Sequence, residues 1–123
     1  MESPIKVRRL PHEIWTMPYE GYYISNMGRW YSAKSGRLLT QYRNSSGYLR
    51  VSFMVNGTRI QLFTHIKVVE LFGDRLGNVI PPNNGTLREL GLSIDHLNRD
   101  KRCNRRSNLE LVAHSENCAR KFR

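Results

Sequence analysis

An Asn56-Gly57 pair stands between two runs of alternating apolar residues, and no other feature restricts the folding of this chain so tightly. Both central positions of a type I′ hairpin turn need positive φ, which Asn and Gly reach at the least cost. Such a turn pairs Val55 with Thr58, Phe53 with Ile60 and Val51 with Leu62. One face of the hairpin over 47–63 is then Leu49, Val51, Phe53, Val55, Ile60 and Leu62, all apolar. The other face carries Tyr48, Arg50, Ser52, Met54, Arg59, Gln61 and Phe63. Turn chemistry and alternation select the same register independently, and a one-residue slip would turn the apolar set to water. The mixed face suits a nucleic-acid groove, with Arg50, Arg59 and Gln61 as contacts; an ordinary solvated face would read the same way.

Around the hairpin the pattern is that of an antiparallel meander. Short β-prone runs at 22–25, 29–32 and 37–42 are punctuated by Asn26, Gly28, Ser35 and Gly36. Thr64 is placed to N-cap a helix from His65 to Phe72, with Ile66, Val69 and Phe72 as its apolar stripe and Gly73 as its stop. His65 at its start reads as structural. The segment 74–91, with Pro81-Pro82-Asn83-Asn84-Gly85, reads as a linker with one helical turn at Leu87–Leu90. The expected class is α+β: a basic lead-in over 1–12, a β-rich unit with one helix over 13–73, the linker, and a chemical unit over 92–123.

At 123 residues the chain suits one compact domain or two very small ones sharing a surface. Twenty Lys and Arg against ten Asp and Glu leave a formal net charge of +10, which makes a polyanion the first partner to consider. A merely soluble basic domain would carry the same charge. No apolar run approaches the roughly 20 residues of a membrane span, and no signal-peptide core follows Lys6, Arg8 and Arg9. A cytoplasmic protein is expected, with Cys103 and Cys118 as reduced thiols.

The chemistry is concentrated after residue 92. Leu92 to Leu97 reads as a strand, Asn98 to Ser107 as a basic loop, Asn108 to Val112 as a returning strand, and Glu116 to Phe122 as a helix capped by Ser115. Asp95 and Asn117 supply a carboxylate and an amide oxygen, enough for a Mg²⁺-type ion that keeps several waters. His96 titrates near neutrality and is suited to take the proton from an attacking water. Asn108 has the donors and acceptors to tie the long loop down. Adjacent strand residues point to opposite sides, so placing Asp95 and His96 at one site calls for local distortion of the strand.

On the residues Ile94-Asp95-His96-Leu97-Asn98, Asn104-Arg105, Ser107-Asn108-Leu109-Glu110 and His114-Ser115-Glu116-Asn117, the chain resembles the HNH endonucleases, whose fold is the ββα-metal finger. The resemblance implies His96 as general base, Asp95 and Asn117 as metal ligands and Asn108 as the central structural Asn. Upstream, Gly21-Tyr22-Tyr23-Ile24-Ser25-Asn26-Met27-Gly28-Arg29 is similar to a nuclease-associated modular DNA-binding domain found before HNH units of phage and homing endonucleases. Gly47-Tyr48-Leu49-Arg50-Val51 and 64–72 continue that likeness.

The implied activity is metal-dependent cleavage of double-stranded DNA, leaving 5′-phosphate and 3′-hydroxyl ends. Mg²⁺ is the expected ion, with Mn²⁺ able to serve. Asn rather than His at 117 disfavours zinc, with His114 as a substitute ligand ranked below it. Arg99, Lys101, Arg102, Arg105, Arg106, Arg120 and Lys121 surround the site and would hold flanking phosphates. One active unit, as a monomer, would nick one strand; two units would cut both. Homing enzymes of this kind often carry a further C-terminal helical module, so a sequence stopping at Arg123 implies modest site specificity. The alternative is a basic DNA-binding protein without catalysis, a regulator or packaging accessory.

Overall fold

The structure is a computed structural model and describes residues 4–80 and 86–120. Among the described residues, nine strands and two α-helices follow in the order β1 (Trp15–Tyr19), β2 (Tyr22–Ser25), β3 (Trp30–Ser32), β4 (Arg37–Leu38), β5 (Tyr42–Arg43), β6 (Leu49–Val55), β7 (Thr58–Phe63), α1 (Thr64–Phe72), β8 (Leu92–His96), β9 (Leu109–Ala113) and α2 (His114–Arg120). All pairing is antiparallel: β1-β2-β3-β4 form one sheet, β5-β6-β7 a second and β8-β9 a ribbon. The α+β expectation holds, with the β-rich part first and a strand, strand, helix unit last. Among the described residues no helix is long and apolar enough to cross a membrane.

The β6–β7 hairpin has the expected register, Val51↔Leu62, Phe53↔Ile60 and Val55↔Thr58. Asn56 and Gly57 take φ of 48° and 78°, the two positive values that the turn requires. Val51 and Phe53 are buried, while Arg50, Met54, Arg59 and Gln61 on the far face are exposed. Phe53 stacks on Tyr22 with ring centroids 4.1 Å apart and meets Tyr19 and Trp30 at 5.6 and 5.8 Å. These rings lock the two sheets together. Val68 and Val69 of α1 carry the same core across to Ile94 and Leu109 of the ribbon.

Several elements depart from the sequence expectation. Strand β1 was not foreseen, because Pro18 interrupts its pattern. It survives at a sheet edge through a shift of register between Thr16 and Tyr19, where a missing N–H costs no ladder bond. The run 37–42 does not form one strand: Arg37–Leu38 pairs with β3, and Tyr42 turns to pair with β6. Thr64 does not cap α1 but opens its first turn. Its buried hydroxyl donates to Gln41 Oε1 and accepts from Trp30 Nε1 at 3.1 Å, so it joins helix to sheet. Gly73 ends α1 at φ 83° as expected. Helix α2 begins at His114, which places Ser115 inside its first turn rather than at its cap. The helix end at Phe122, Lys121, and the Pro81–Gly85 segment lie outside the described residues.

The first part of the 74–91 segment is tightly docked. Asp74 is fully buried; its Oδ1 accepts from the backbone N–H groups of Leu76 and Asn78, both at 2.9 Å, and its Oδ2 from Leu111 N–H at 2.8 Å. Arg75 N–H donates to Leu109 O at 2.9 Å. A single turn forms at 87–90, where Leu90 N–H donates to Thr86 O at 3.2 Å.

Candidate active site

Strand β8 pairs with β9 without any irregularity, from Leu92↔Ala113 to His96↔Leu109. The distortion expected for Asp95 and His96 is therefore absent. Alternation sends His96 inward with Ile94 and sends Asp95 toward α2. A cavity of about 260 Å³ nevertheless takes in both, because it lies across the end of the strand and is walled by Ile94, Asp95, His96 and Leu97 in succession. Tyr48, Arg99, Lys101, Asn117 and Arg120 complete its lining.

His96 is buried, and its Nε2 lies 2.7 Å from Asn104 Oδ1. An amide oxygen can only accept, so Nε2 carries the ring proton and Nδ1 is left as the free base. Burial holds His96 below the usual imidazole value, against the hydrogen bond to Asn104 and the charge of Asp95, which push the other way. A neutral ring at neutral pH is what a general base needs. His65 stands next to it, with ring centroids 5.3 Å apart, and stacks on Tyr48 at 4.7 Å. Burial, with the added influence of His96, pushes His65 down to about 3, so it is an uncharged wall.

Asn108 is buried at the end of a single 3₁₀ turn, Arg106–Asn108. Its Oδ1 accepts from Asn98 N–H at 3.0 Å, and its Nδ2 donates to Asn98 Oδ1 and Cys103 O, both at 2.9 Å. One side chain thus ties both ends of the basic loop. Asn108→Ala strips partners from groups that fold inward, at about 1–3 kcal/mol. The expected result is a lower melting temperature together with loss of any cleavage activity, read by thermal denaturation and a nicking assay.

Residues 63–119 match the family model for HNH endonucleases, and residues 13–54 match the NUMOD4 motif. The chain carries an HNH endonuclease domain behind a NUMOD4 motif. It is 34% identical over 83 residues to the H-N-H endonuclease F-TflII of Escherichia phage T5, an alignment covering 68% of this chain and 38% of that protein. A solved structure described as DNA binding and cleavage by the HNH homing endonuclease I-HmuI superposes with a TM-score of 0.66 at 26% identity. That match covers 89% of this chain and 57% of the other. The chain thus spans less than two thirds of the length of either relative.

Within the HNH domain, Asp95 and Asn117 line the same cavity. Asp95 already binds a cation: Arg120 Nη1 lies 2.8 Å from its Oδ2. The donor set of one carboxylate, one amide oxygen and open cavity fits a hard divalent ion that keeps water. Among the described residues no group of three or more His, Cys, Asp and Glu side chains gathers to hold a metal. His114 stands outside the cavity, 2.7 Å from Ser93 Oγ and 3.5 Å from Cys118 Sγ through its two ring nitrogens. Cys103 and Cys118 are free.

The basic residues are distributed unevenly. Arg99 and Lys101 line the cavity, and Lys101 Nζ also donates to Ser46 O at 2.8 Å and sits 4.7 Å over the Tyr48 ring. Arg102 pairs with Asp100 at 3.2 Å, Arg105 is exposed, and Arg106 Nε donates to Asp74 O at 2.9 Å. Arg120 is held by three carboxylates, Asp95, Glu110 at 3.2 Å and Glu116 at 3.1 Å. Arg50, Arg59 and Gln61 lie exposed on the hairpin, with Arg59 Nη1 2.7 Å from Ser52 Oγ. The sequence marks Asn104 and Tyr48 only as parts of the family likeness and Asp74 only as linker, with no role for any of them at this site. Tyr48 meets His96 and Asp74 meets Leu111 far along the chain, whereas Asn104 meets His96 across the basic loop, eight residues back.

Proposed function

We propose that the chain is a metal-dependent DNA endonuclease that hydrolyses one phosphodiester of duplex DNA per active unit. The observation that carries the reading is the convergence of Asp95, His96 and Asn117 on one cavity within the HNH domain. His96, neutral and unprotonated at Nδ1, takes the proton from a water attacking the scissile phosphate. Asp95 and Asn117 would hold a divalent ion, Mg²⁺ by preference with Mn²⁺ also accepted. When bound, such an ion offsets charge on the phosphate and on the leaving oxygen. Asn108 keeps the basic loop folded beneath the cavity. Arg99 and Lys101 hold phosphates flanking the scissile bond, with Arg102, Arg105, Arg106 and Lys121 extending that contact, while Arg120 is taken up by its three carboxylates. Arg50, Arg59 and Gln61 on the hairpin grip the duplex farther away. In this division residues 13–73 bind DNA and residues 92–123 cut it, with 74–91 joining them.

An end-labelled duplex incubated with the chain in Mg²⁺, Mn²⁺ or chelator tests the proposal. Cleavage in both metals and not in chelator is expected, with 5′-phosphate and 3′-hydroxyl ends that DNA ligase can reseal. Salt-sensitive binding with no cleavage in any metal supports the non-catalytic regulator instead. A monomeric, one-site unit is expected to leave single-strand nicks.

A further inference from the structure

The hydrogen bond from His96 Nε2 ends on a residue that the N-terminal part of the chain holds in place. Asn104 is buried at 3% exposure, and its Oδ1 is the acceptor 2.7 Å from His96. The turn at Ser25–Gly28 of the NUMOD4 region packs directly on it. A Cβ at Gly28 would meet Asn104 Cβ and O at 3.0 Å and its carbonyl carbon at 3.1 Å, and Gly28 has φ of +79°. The contact is fastened on either side: Arg106 N–H donates to Asn26 O at 2.8 Å, and Gln41 Nε2 donates to Gly28 O at 2.9 Å. Asn104 also breaks a local rule, since its Nδ2 is buried with no hydrogen-bond partner. A buried donor left without a partner destabilises the fold, because it loses its water and gains nothing in return. Such costs are expected where function requires the residue, and the oxygen is the part of this amide in use.

We propose that Asn104, seated by the Gly28 turn of the NUMOD4 region, is the positioning residue of His96, fixing the tautomer that leaves Nδ1 as the base. The NUMOD4 region is then part of the catalytic architecture as well as a grip on DNA. This inference rests on the reading of His96 as the general base. The chemical logic is geometric: a general base must be held within hydrogen-bond reach of its proton in the correct tautomer. Without an acceptor at Nε2, the neutral ring divides between two tautomers and loses a fixed orientation.

Two readouts separate this role from simple support of the fold. The first is a long-range ¹H–¹⁵N correlation of the full chain at one fixed pH without metal. Wild type is expected to show His96 protonated at Nε2 and bare at Nδ1, whereas Asn104→Leu shows both nitrogens at averaged positions. Asn104→Asp keeps an acceptor and is expected to keep the wild-type tautomer. Gly28→Ala, which pushes on the Asn104 backbone, is expected to move the His96 signals toward the averaged pattern. The second readout is nicking: in Asn104→Leu the turnover falls about 10²-fold with DNA affinity nearly unchanged, the cost of misplacing a catalytic group. Asn104→Asp recovers part of that loss. An unaltered tautomer in Asn104→Leu overturns the proposal, as does a lost tautomer with an unaltered nicking rate. If wild type does not cleave at all, the reading of His96 as general base fails, while the tautomer signals still report whether Asn104 orients the ring.

Discussion

His96→Ala is expected to reduce DNA cleavage by about 10²–10⁴-fold, the usual contribution of a positioned general base, while DNA affinity changes little. Two features set the size of the effect. The ring is held by Asn104 on one side and walled by His65 and Tyr48 on the other, so no neighbouring group is placed to replace it. His65 is the nearest imidazole, yet its Nδ1 is buried without a partner, and it stands in the wall behind His96. DNA affinity should survive because the phosphate contacts are assigned to Arg99, Lys101 and the hairpin arginines, and removing a neutral ring takes no charge from them. Parallel gel-shift and nicking measurements on the same preparation check both halves. A variant that still cuts at the wild-type rate removes His96 from the role of base.

The second large effect concerns the fold. Asp74→Ala is expected to cost about 3–5 kcal/mol, because it leaves three inward-facing backbone N–H groups, of Leu76, Asn78 and Leu111, without their acceptor. In a chain of this size that corresponds to a fall in melting temperature of more than about 10 °C. Asp74→Asn should cost less, since one oxygen is kept, but its new NH₂ group faces a donor. Asp74 also governs acid stability. Burial alone would raise its pKa; the hydrogen bonds from Leu111, Asn78 and Leu76 outweigh it and hold the group below its ordinary value. Glu13 behaves in the same way: burial would raise it, but Arg29 and the Leu10 N–H bring it down. A carboxylate whose pKa is depressed by folding adds stability that is complete above the ordinary value of about 4 and disappears as pH falls through the folded value. Melting temperatures should therefore hold steady across neutral and weakly acid pH and drop steeply below about pH 4. In Asp74→Ala that drop should be shallower.

The parts of this fold that could be read in advance are those written into neighbouring residues. Asn56-Gly57 with its alternating flanks determined the hairpin to the residue, because both signals act within a few positions of one another. Gly73 stopped α1 for the same kind of local reason. The ββα unit was legible from its strand, loop, strand, helix pattern and its HNH-like residues. What escaped was decided at long range. Pro18 hid β1 because edge placement is not visible in five residues. Thr64 looked like a cap until Trp30 and Gln41, more than twenty positions away, claimed its hydroxyl. Asp74 read as linker because its key partner, Leu111, is 37 residues on. Asn104 had no recognisable role until folding brought Gly28 and His96 to either side of it. The strand distortion expected at Asp95-His96 proved unnecessary, because a cavity across a strand end is reached from both faces.

Arg120 illustrates how charge alone can mislead. Counted by sequence it is one of a crowd of basic residues, but the fold surrounds it with Asp95, Glu110 and Glu116. Its pKa is raised above the usual arginine value by those three partners.

The most direct test is the conversion of supercoiled plasmid to open circles by wild type and Asp95→Asn, side by side, in Mg²⁺ and in chelator. The expected result is open circles from wild type in Mg²⁺ alone, and loss of that activity in Asp95→Asn with DNA binding retained. Wild type that binds plasmid yet never nicks it, or Asp95→Asn that nicks as fast as wild type, would contradict the assignment of this cavity as the cutting centre.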